Sequence, residues 1–136
     1  LDIEVAESAL LAARQSARRS LAQVRGEGVQ VAIDDFGMGV GTLRRLRELP
    51  VDVLKIDRAF VNQLTPDAQS QAVVSTIVSL ARAYGLGTVA EGVETRHQLH
   101  ILHALGCERS QGFLHSPPLT TDELENLLGS LMTCAS

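Results

Sequence analysis

Short runs of β-branched and apolar residues alternate along the chain with longer stretches whose apolar positions recur every three or four residues. This is the pattern of a parallel α/β sheet covered by helices. Leu1 to Val5 is a brief extended run. From Ser8 the period changes, and Leu10, Ala13, Ala17, Leu21 and Val24 mark one side of an amphipathic helix that stops near Gly26 and Gly28. Val29 to Asp34 reads as a second strand and leads into a turn at Gly37, Gly39 and Gly41. A short helix over Thr42 to Glu48 then ends ahead of Pro50, which disfavours helical geometry in Leu49. Val51 to Ile56 is the third strand, and a loop leads to a long helix from Pro66 to Tyr84. Val73, Ile77, Val78, Leu80 and Ala81 form its expected apolar side. Thr88 to Ala90 makes a fourth strand, and Thr95 with Gln98 reads as a capping box opening a helix through Leu99, Leu102 and Leu105. A fifth run reaches Gln111, Pro117 and Pro118 break the chain, and Thr120 with Glu123 starts a final helix through Leu131. Five βα units in a row predict a parallel α/β sheet; a (β/α) barrel of the TIM type needs eight, so measured against that fold the chain is a partial barrel.

Composition narrows the classes of function. The 136 residues suit one domain, and 45% hydrophobic with 21% charged residues is globular. A net charge of −4 and 3% aromatics argue against DNA or RNA polymers as partners, which call for a basic surface or stacking platforms. Neither a long apolar span nor a basic-then-apolar leader occurs. Cys107 and Cys134 form no CxxC, so neither a zinc knuckle nor a disulfide framework is indicated. The chain opens at Leu1, inside a strand and without a Met, as expected of a segment cut from a longer protein.

The informative polar residues end the apolar runs or are enclosed by them: Glu4, Asp34 with Asp35, Lys55 with Asp57, Glu91, and Gln111. In a (β/α) barrel the carboxyl ends of the strands share one face, where catalytic groups collect. Alternation lets Val31, Ile33, Leu54 and Ile56 face the helices while Asp34 and Lys55 turn inward. Several carboxylates converging there would repel one another, and hard divalent cations such as Mg²⁺ or Mn²⁺ remove that repulsion. Two such ions about 4 Å apart can activate a water and stabilise a leaving oxygen in phosphodiester cleavage. Lys55 would hold the attacking water or neutralise charge on the phosphate. A lone strand-end Asp is more often a turn or cap residue, but the coincidence recurs in successive units.

These residues resemble the EAL domain, a family of cyclic di-GMP phosphodiesterases built as a barrel close to the TIM type. Ile3-Glu4-Val5-Ala6-Glu7-Ser8 is similar to its third-carboxylate motif, and Asp34-Asp35-Phe36-Gly37-Met38-Gly39 to its double-aspartate loop. Leu54-Lys55-Ile56-Asp57-Arg58, with Phe60-Val61, resembles its lysine strand, and Val89-Ala90-Glu91-Gly92-Val93-Glu94-Thr95 its late glutamate motif. Gln111-Gly112-Phe113 with Pro118-Leu119 is similar to its closing motif. The resemblance implies Glu4, Asp34 and Glu91 as metal ligands, and Asp35 as a ligand or an orienter of the water. It further implies that Lys55 contacts that water or the phosphate, that Glu94 supports the loop or metal shell, and that Gln111 lies near substrate or water. The implied cofactor is Mg²⁺ or Mn²⁺ at a two-metal site, and the implied reaction opens cyclic di-GMP to the linear dinucleotide.

Departures from the family pattern set the rival reading. The Glu-Ala-Leu motif, the substrate-contacting Arg and the metal-binding Asn belong to strands that precede this region. Residues 1–136 are therefore expected to be the C-terminal portion of the domain, inactive by themselves. Met38-Gly39-Val40-Gly41-Thr42 stands where the family has Thr-Gly-Tyr-Ser-Ser. The alternative is accordingly a non-catalytic cyclic di-GMP receptor or regulatory module. Expected partners are cyclic di-GMP, a second copy through loop 38–42 or open strand edges, and an upstream sensor or GGDEF-type domain. The resemblance implies a cytoplasmic location, including the cytoplasmic part of a membrane-tethered parent. Asp35-Phe36-Gly37 matches the kinase magnesium triplet by letters only, and His97, His100 and His103 read as solvated helix positions rather than a zinc site.

Overall fold

Five parallel strands form one sheet in chain order, and the segments between them return the chain to the same end of the sheet each time. The structure, a computed structural model, describes residues 2–13, 15–36 and 46–134, without the side chains of residues 11, 35 and 130–134. Strand β1 is Asp2–Ala6, followed by α1, Glu7–Ala12, and α2, Gln15–Gly26. Strand β2 is Gln30–Phe36, and β3, Val53–Ile56, leads through a single turn of helix, α3, Arg58–Val61, to α4, Ala68–Ala83. Strand β4, Gly87–Ala90, precedes α5, Arg96–Ala104, and the two-residue β5, Arg109–Ser110, precedes α6, Thr121–Cys134. Each strand pairs in parallel with the next, with Glu4 opposite Ala32, Ile33 opposite Leu54 and Lys55 opposite Val89. Sequential parallel order is the winding of a (β/α) barrel, of which this sheet is one arc.

The core lies between the sheet and its helices. Val31, Ile33, Leu54 and Ile56 are fully buried and cluster with Val74, Ile77, Val78 and Ala81 of α4 and Ile101 and Leu102 of α5. Ala32 and Val53 are also buried but stand outside that cluster, on the opposite face, as strand alternation requires. Fully burying each such aliphatic side chain stabilises by roughly 1.5–3 kcal/mol, so this helix-side layer supplies most of the cohesion.

Several local expectations change. The helix expected from Ser8 is two helices, because Ala13 takes extended geometry (φ −60°, ψ 130°) and ends α1. No residue of α2 is fully buried, so its apolar side only skirts the core. On α4 the buried position is Val74, while Val73 is 45% exposed, which turns the inward face by one residue. The stretch after Ile56 is a turn of helix rather than a plain loop, because the Asp57 carboxylate accepts from the Ala59 amide at 2.6 Å and caps it. Of the helix expected over 42–48, only the 3₁₀ turn Leu46–Glu48 falls among the described residues. The expected capping box of α5 is present, with the Thr95 hydroxyl accepting from the Gln98 amide at 3.2 Å and the Gln98 side chain accepting from the Thr95 amide at 3.0 Å.

One irregularity shapes the site. Between the pairs Ile33–Leu54 and Phe36–Ile56, β2 has two residues, Asp34 and Asp35, where β3 has only Lys55. This β-bulge shifts the alternation by one, which returns Phe36 to the helix side, where it is 4% exposed.

Candidate active site

Lys55 occupies the inner face of β3, fixed there by the outward packing of Leu54 and Ile56. Its Nζ lies 2.7 Å from Glu4 Oε2 and 3.5 Å from Asp34 Oδ1, and it also pairs with Glu91 Oε1. Glu4 stands within β1, Asp34 near the end of β2 and Glu91 just past β4, and the parallel register converges them on a single ammonium. The Lys55 side chain is 4% exposed, whereas those of Glu4, Asp34 and Glu91 are 48%, 31% and 19% exposed. The charge is thus graded, with the cation at the bottom and carboxylate oxygens open to water above it.

Burial by itself would pull the Lys55 pKa down. Hydrogen bonds to Glu4 and Glu91 and the charges of Glu91 and Asp34 outweigh it and hold the ammonium above the usual lysine value. Gln111, just past β5, donates from Nε2 to Glu91 Oε1 at 2.8 Å and orients that carboxylate. The backbone reinforces the arrangement, because Glu91 N–H donates to the Ile56 carbonyl at 3.0 Å and Gln111 N–H to the Ala90 carbonyl at 2.8 Å.

Glu4, Asp34 and Glu91 each present an oxygen within 4.8 Å of the others, the one such group of metal-capable side chains among the described residues. Three carboxylates around one ammonium leave a formal surplus of negative charge. An all-oxygen donor set of this kind fits a hard divalent cation.

Glu94 stands apart from this group. Its Oε1 lies 3.1 Å from Arg58 Nη2, and both residues line a cavity of about 500 Å³ with Glu91, Gln111, Phe113, Pro117 and Pro118. The Phe113 ring is 65% exposed on that wall. A larger cavity, about 660 Å³, opens at the opposite end, where Gln30, Val53, Gly87 and Arg109 begin their strands. The Arg25–Asp52 pair lines it, and none of Glu4, Asp34 and Glu91 does. Volume therefore points away from the chemistry here, and the smaller cavity is the one continuous with Glu91 and Gln111.

Of the residues singled out from sequence, Glu4, Asp34, Lys55, Glu91 and Gln111 come together. Glu94 lies at the cavity rim. The Asp35 side chain and loop 38–42 lie outside the described residues. His97, His100 and His103 are exposed on α5, and His115 Nε2 is 2.8 Å from Ser110 Oγ. Arg58 was visible in the sequence only as the letter after Asp57; no periodicity or spacing pointed to its place beside Glu94.

A sequentially wound parallel arc with a buried lysine and metal-capable carboxylates at its strand ends defines a protein of the (β/α)-barrel class with a polar strand-end site. Within that class the chain belongs to the EAL domain family, whose model matches residues 1–118. It is 44% identical over 124 residues to the bifunctional diguanylate cyclase/cyclic di-GMP phosphodiesterase MucR of Pseudomonas aeruginosa, covering 91% of this chain and 18% of MucR. The solved MucR phosphodiesterase in complex with cyclic di-GMP superposes with a TM-score of 0.81, covering 91% of this chain and 50% of that one. The EAL domain of Mycobacterium smegmatis DcpA is 42% identical with a TM-score of 0.84, covering 95% of this chain and 58% of that one. Klebsiella pneumoniae BlrP1, solved with manganese and cyclic di-GMP, is 34% identical with a TM-score of 0.72, covering 83% of this chain and 29% of that one. The chain thus spans well under a quarter of the length of the curated relative and about half of the MucR and DcpA structures. No helix among the described residues is long and apolar enough to cross a membrane.

Proposed function

We propose that residues 1–136 are the C-terminal portion of an EAL domain that hydrolyses cyclic di-GMP to the linear dinucleotide. The observation that carries this reading is the convergence of Glu4, Asp34 and Glu91 on the buried Lys55. Glu4, Asp34 and Glu91 would hold Mg²⁺ or Mn²⁺, with Asp35, placed opposite Lys55 by the bulge, as a further ligand or as the orienter of water. A bound divalent cation supplies a more acidic water and neutralises phosphate charge. Lys55 keeps the carboxylates aligned and presents positive charge where a phosphodiester would gain negative charge. Gln111 fixes the rotamer of Glu91, and the cavity beside it, walled by Phe113, Pro117 and Pro118, offers an apolar surface for a guanine base. Upstream sensor or GGDEF-type domains and a cytoplasmic location belong to the same proposal; the relative MucR is described as a bifunctional diguanylate cyclase/cyclic di-GMP phosphodiesterase.

The test is turnover of cyclic di-GMP by the complete EAL domain containing this chain, with Mn²⁺. Asp34→Asn removes one ligand charge and is expected to lower turnover about 10³-fold while changing cyclic di-GMP affinity far less. A complete domain that binds cyclic di-GMP without turnover would replace the enzyme with the receptor reading, which the altered sequence of loop 38–42 favours.

A further inference from the structure

The pairing of Arg58 with Glu94 has a geometry that a solvated surface charge does not need. Arg58 opens α3 three residues after Lys55, and the Asp57 cap fixes the direction in which it leaves the strand. Its guanidinium meets Glu94 at 3.1 Å, and its aliphatic stem lies over Gly92. A Cβ at Gly92 would stand 2.4 Å from Arg58 Cγ, and the Gly92 φ of +65° is left-handed, so only glycine passes beneath the arginine. On the other flank, a Cβ at Gly112 would stand 2.3 Å from Val93 N and O. There the Val93 amide donates to the Gln111 carbonyl and the Leu114 amide to the Val93 carbonyl, each at 3.0 Å. Residues Glu91 to Glu94 are therefore clamped between the Arg58 stem and the Gly112 backbone. One end of the clamped segment carries Glu91 to Lys55, and the other is held by Arg58 itself.

We propose that Arg58 is a positioning residue, which holds Glu94 with its guanidinium and Gly92 beneath its stem and so aims Glu91 at Lys55 and the metal-capable carboxylates. The kinetic arm of its test rests on the function proposed above; the metal arm does not. An exposed ion pair adds little to folding stability, so the effect should appear in the site and hardly in unfolding.

The experiment uses the complete EAL domain containing this chain, with Arg58→Met, which keeps the stem and loses the charge, Arg58→Lys, Glu94→Gln, and the double variant Arg58→Met/Glu94→Gln. Turnover of cyclic di-GMP is measured alongside Mn²⁺ affinity, read from the electron paramagnetic resonance signal of free Mn²⁺. Arg58→Met should lower kcat about tenfold or more with KM nearly unchanged, and weaken Mn²⁺ binding by about tenfold. Arg58→Lys should recover most of both losses, and the double variant should be no worse than Glu94→Gln alone. Unchanged kcat and Mn²⁺ affinity in Arg58→Met, or single losses that multiply in the double variant, would overturn the proposal. A loss that tracks only the folded fraction and is not rescued by lysine overturns it equally. If the unmutated domain binds Mn²⁺ but hydrolyses no cyclic di-GMP, the functional reading fails and the Mn²⁺ arm still decides for or against Arg58. A domain that does neither overturns both.

Discussion

The Lys55 ammonium is a cation that Glu4, Asp34 and Glu91 share, and without it their oxygens, within 4.8 Å of one another, would repel more strongly. Breaking a fully buried ion pair costs about 3–5 kcal/mol, and these carboxylates reach water on one side, so about 2 kcal/mol is the scale for Lys55→Met. Denaturant unfolding of the complete domain should show that loss, and added Mg²⁺ should raise the stability of Lys55→Met by more than that of the unmutated protein. Metal content should stay near the unmutated level, since the lysine is not a ligand, while turnover falls as steeply as in Asp34→Asn. Equal stability of the two proteins without added metal would refute this account of Lys55. The strand alternation that turns Lys55 and Asp34 inward was legible in the sequence. The sharing of Glu91 Oε1 between Lys55 and Gln111 was not, because it depends on where two later strands end.

At the level of elements, Asp52 ties the lower end of the sheet together. Its carboxylate accepts from Arg25 Nε at 3.0 Å and Nη2 at 2.7 Å and from the Val31 amide at 3.0 Å, joining α2 to the start of β2. Its backbone donates to the Val31 carbonyl at 2.8 Å and accepts from the Gly87 amide at 2.9 Å, linking β2, β3 and β4. Partial burial pushes the Asp52 carboxyl up, but the hydrogen bonds from Arg25 and Val31 and the Arg25 charge outweigh it and leave the pKa below the ordinary value. A depressed carboxylate contributes stability above its unfolded pKa, near 3.9, and loses it as pH falls through the folded value. Asp52→Asn should therefore lower the melting temperature near pH 7 by about 4 °C. The gap to the unmutated domain should close as pH drops below the ordinary carboxylate range. A gap that persists undiminished in acid would assign the effect to packing instead. Sequence periodicity placed the strands that Asp52 joins, yet it read the polar residues only at the carboxyl ends and passed over this one at the amino end.

At the scale of the whole molecule, β1 and β5 each have a strand neighbour on one side only among the described residues. Phe113, Leu124, Leu127 and Leu128 are also substantially exposed. Unpaired edges and apolar surface favour association. The isolated 136-residue chain should sediment above its 14.6 kDa monomer mass as concentration rises. It should also hydrolyse cyclic di-GMP far more slowly than a complete EAL domain, because a half-built ligand shell acidifies water poorly. A monodisperse, well-folded monomer, or turnover within about tenfold of the complete domain, would contradict this.

The sequence by itself determined the class of fold, the order of the βα units, the inward side of β3 and the strand-end carboxylates. Each of these follows from local periodicity, and period-two and period-3.6 patterns are properties of the chain rather than of its surroundings. The motifs carried by those strand ends were sufficient to point to the family. Only the tertiary structure decided the β2 bulge that sets Asp34 and Asp35 against Lys55 and returns Phe36 to the core, since a bulge is a relation between two strands. It likewise decided the break at Ala13 and the turn from Val73 to Val74 on α4, where Val74 packs into the buried cluster. The clamp of Arg58 and Gly112 on residues Glu91 to Glu94 was decided there as well. Arg58 and Gly112 are 54 positions apart in the sequence, and no local pattern relates them until the parallel sheet lays three strand ends side by side.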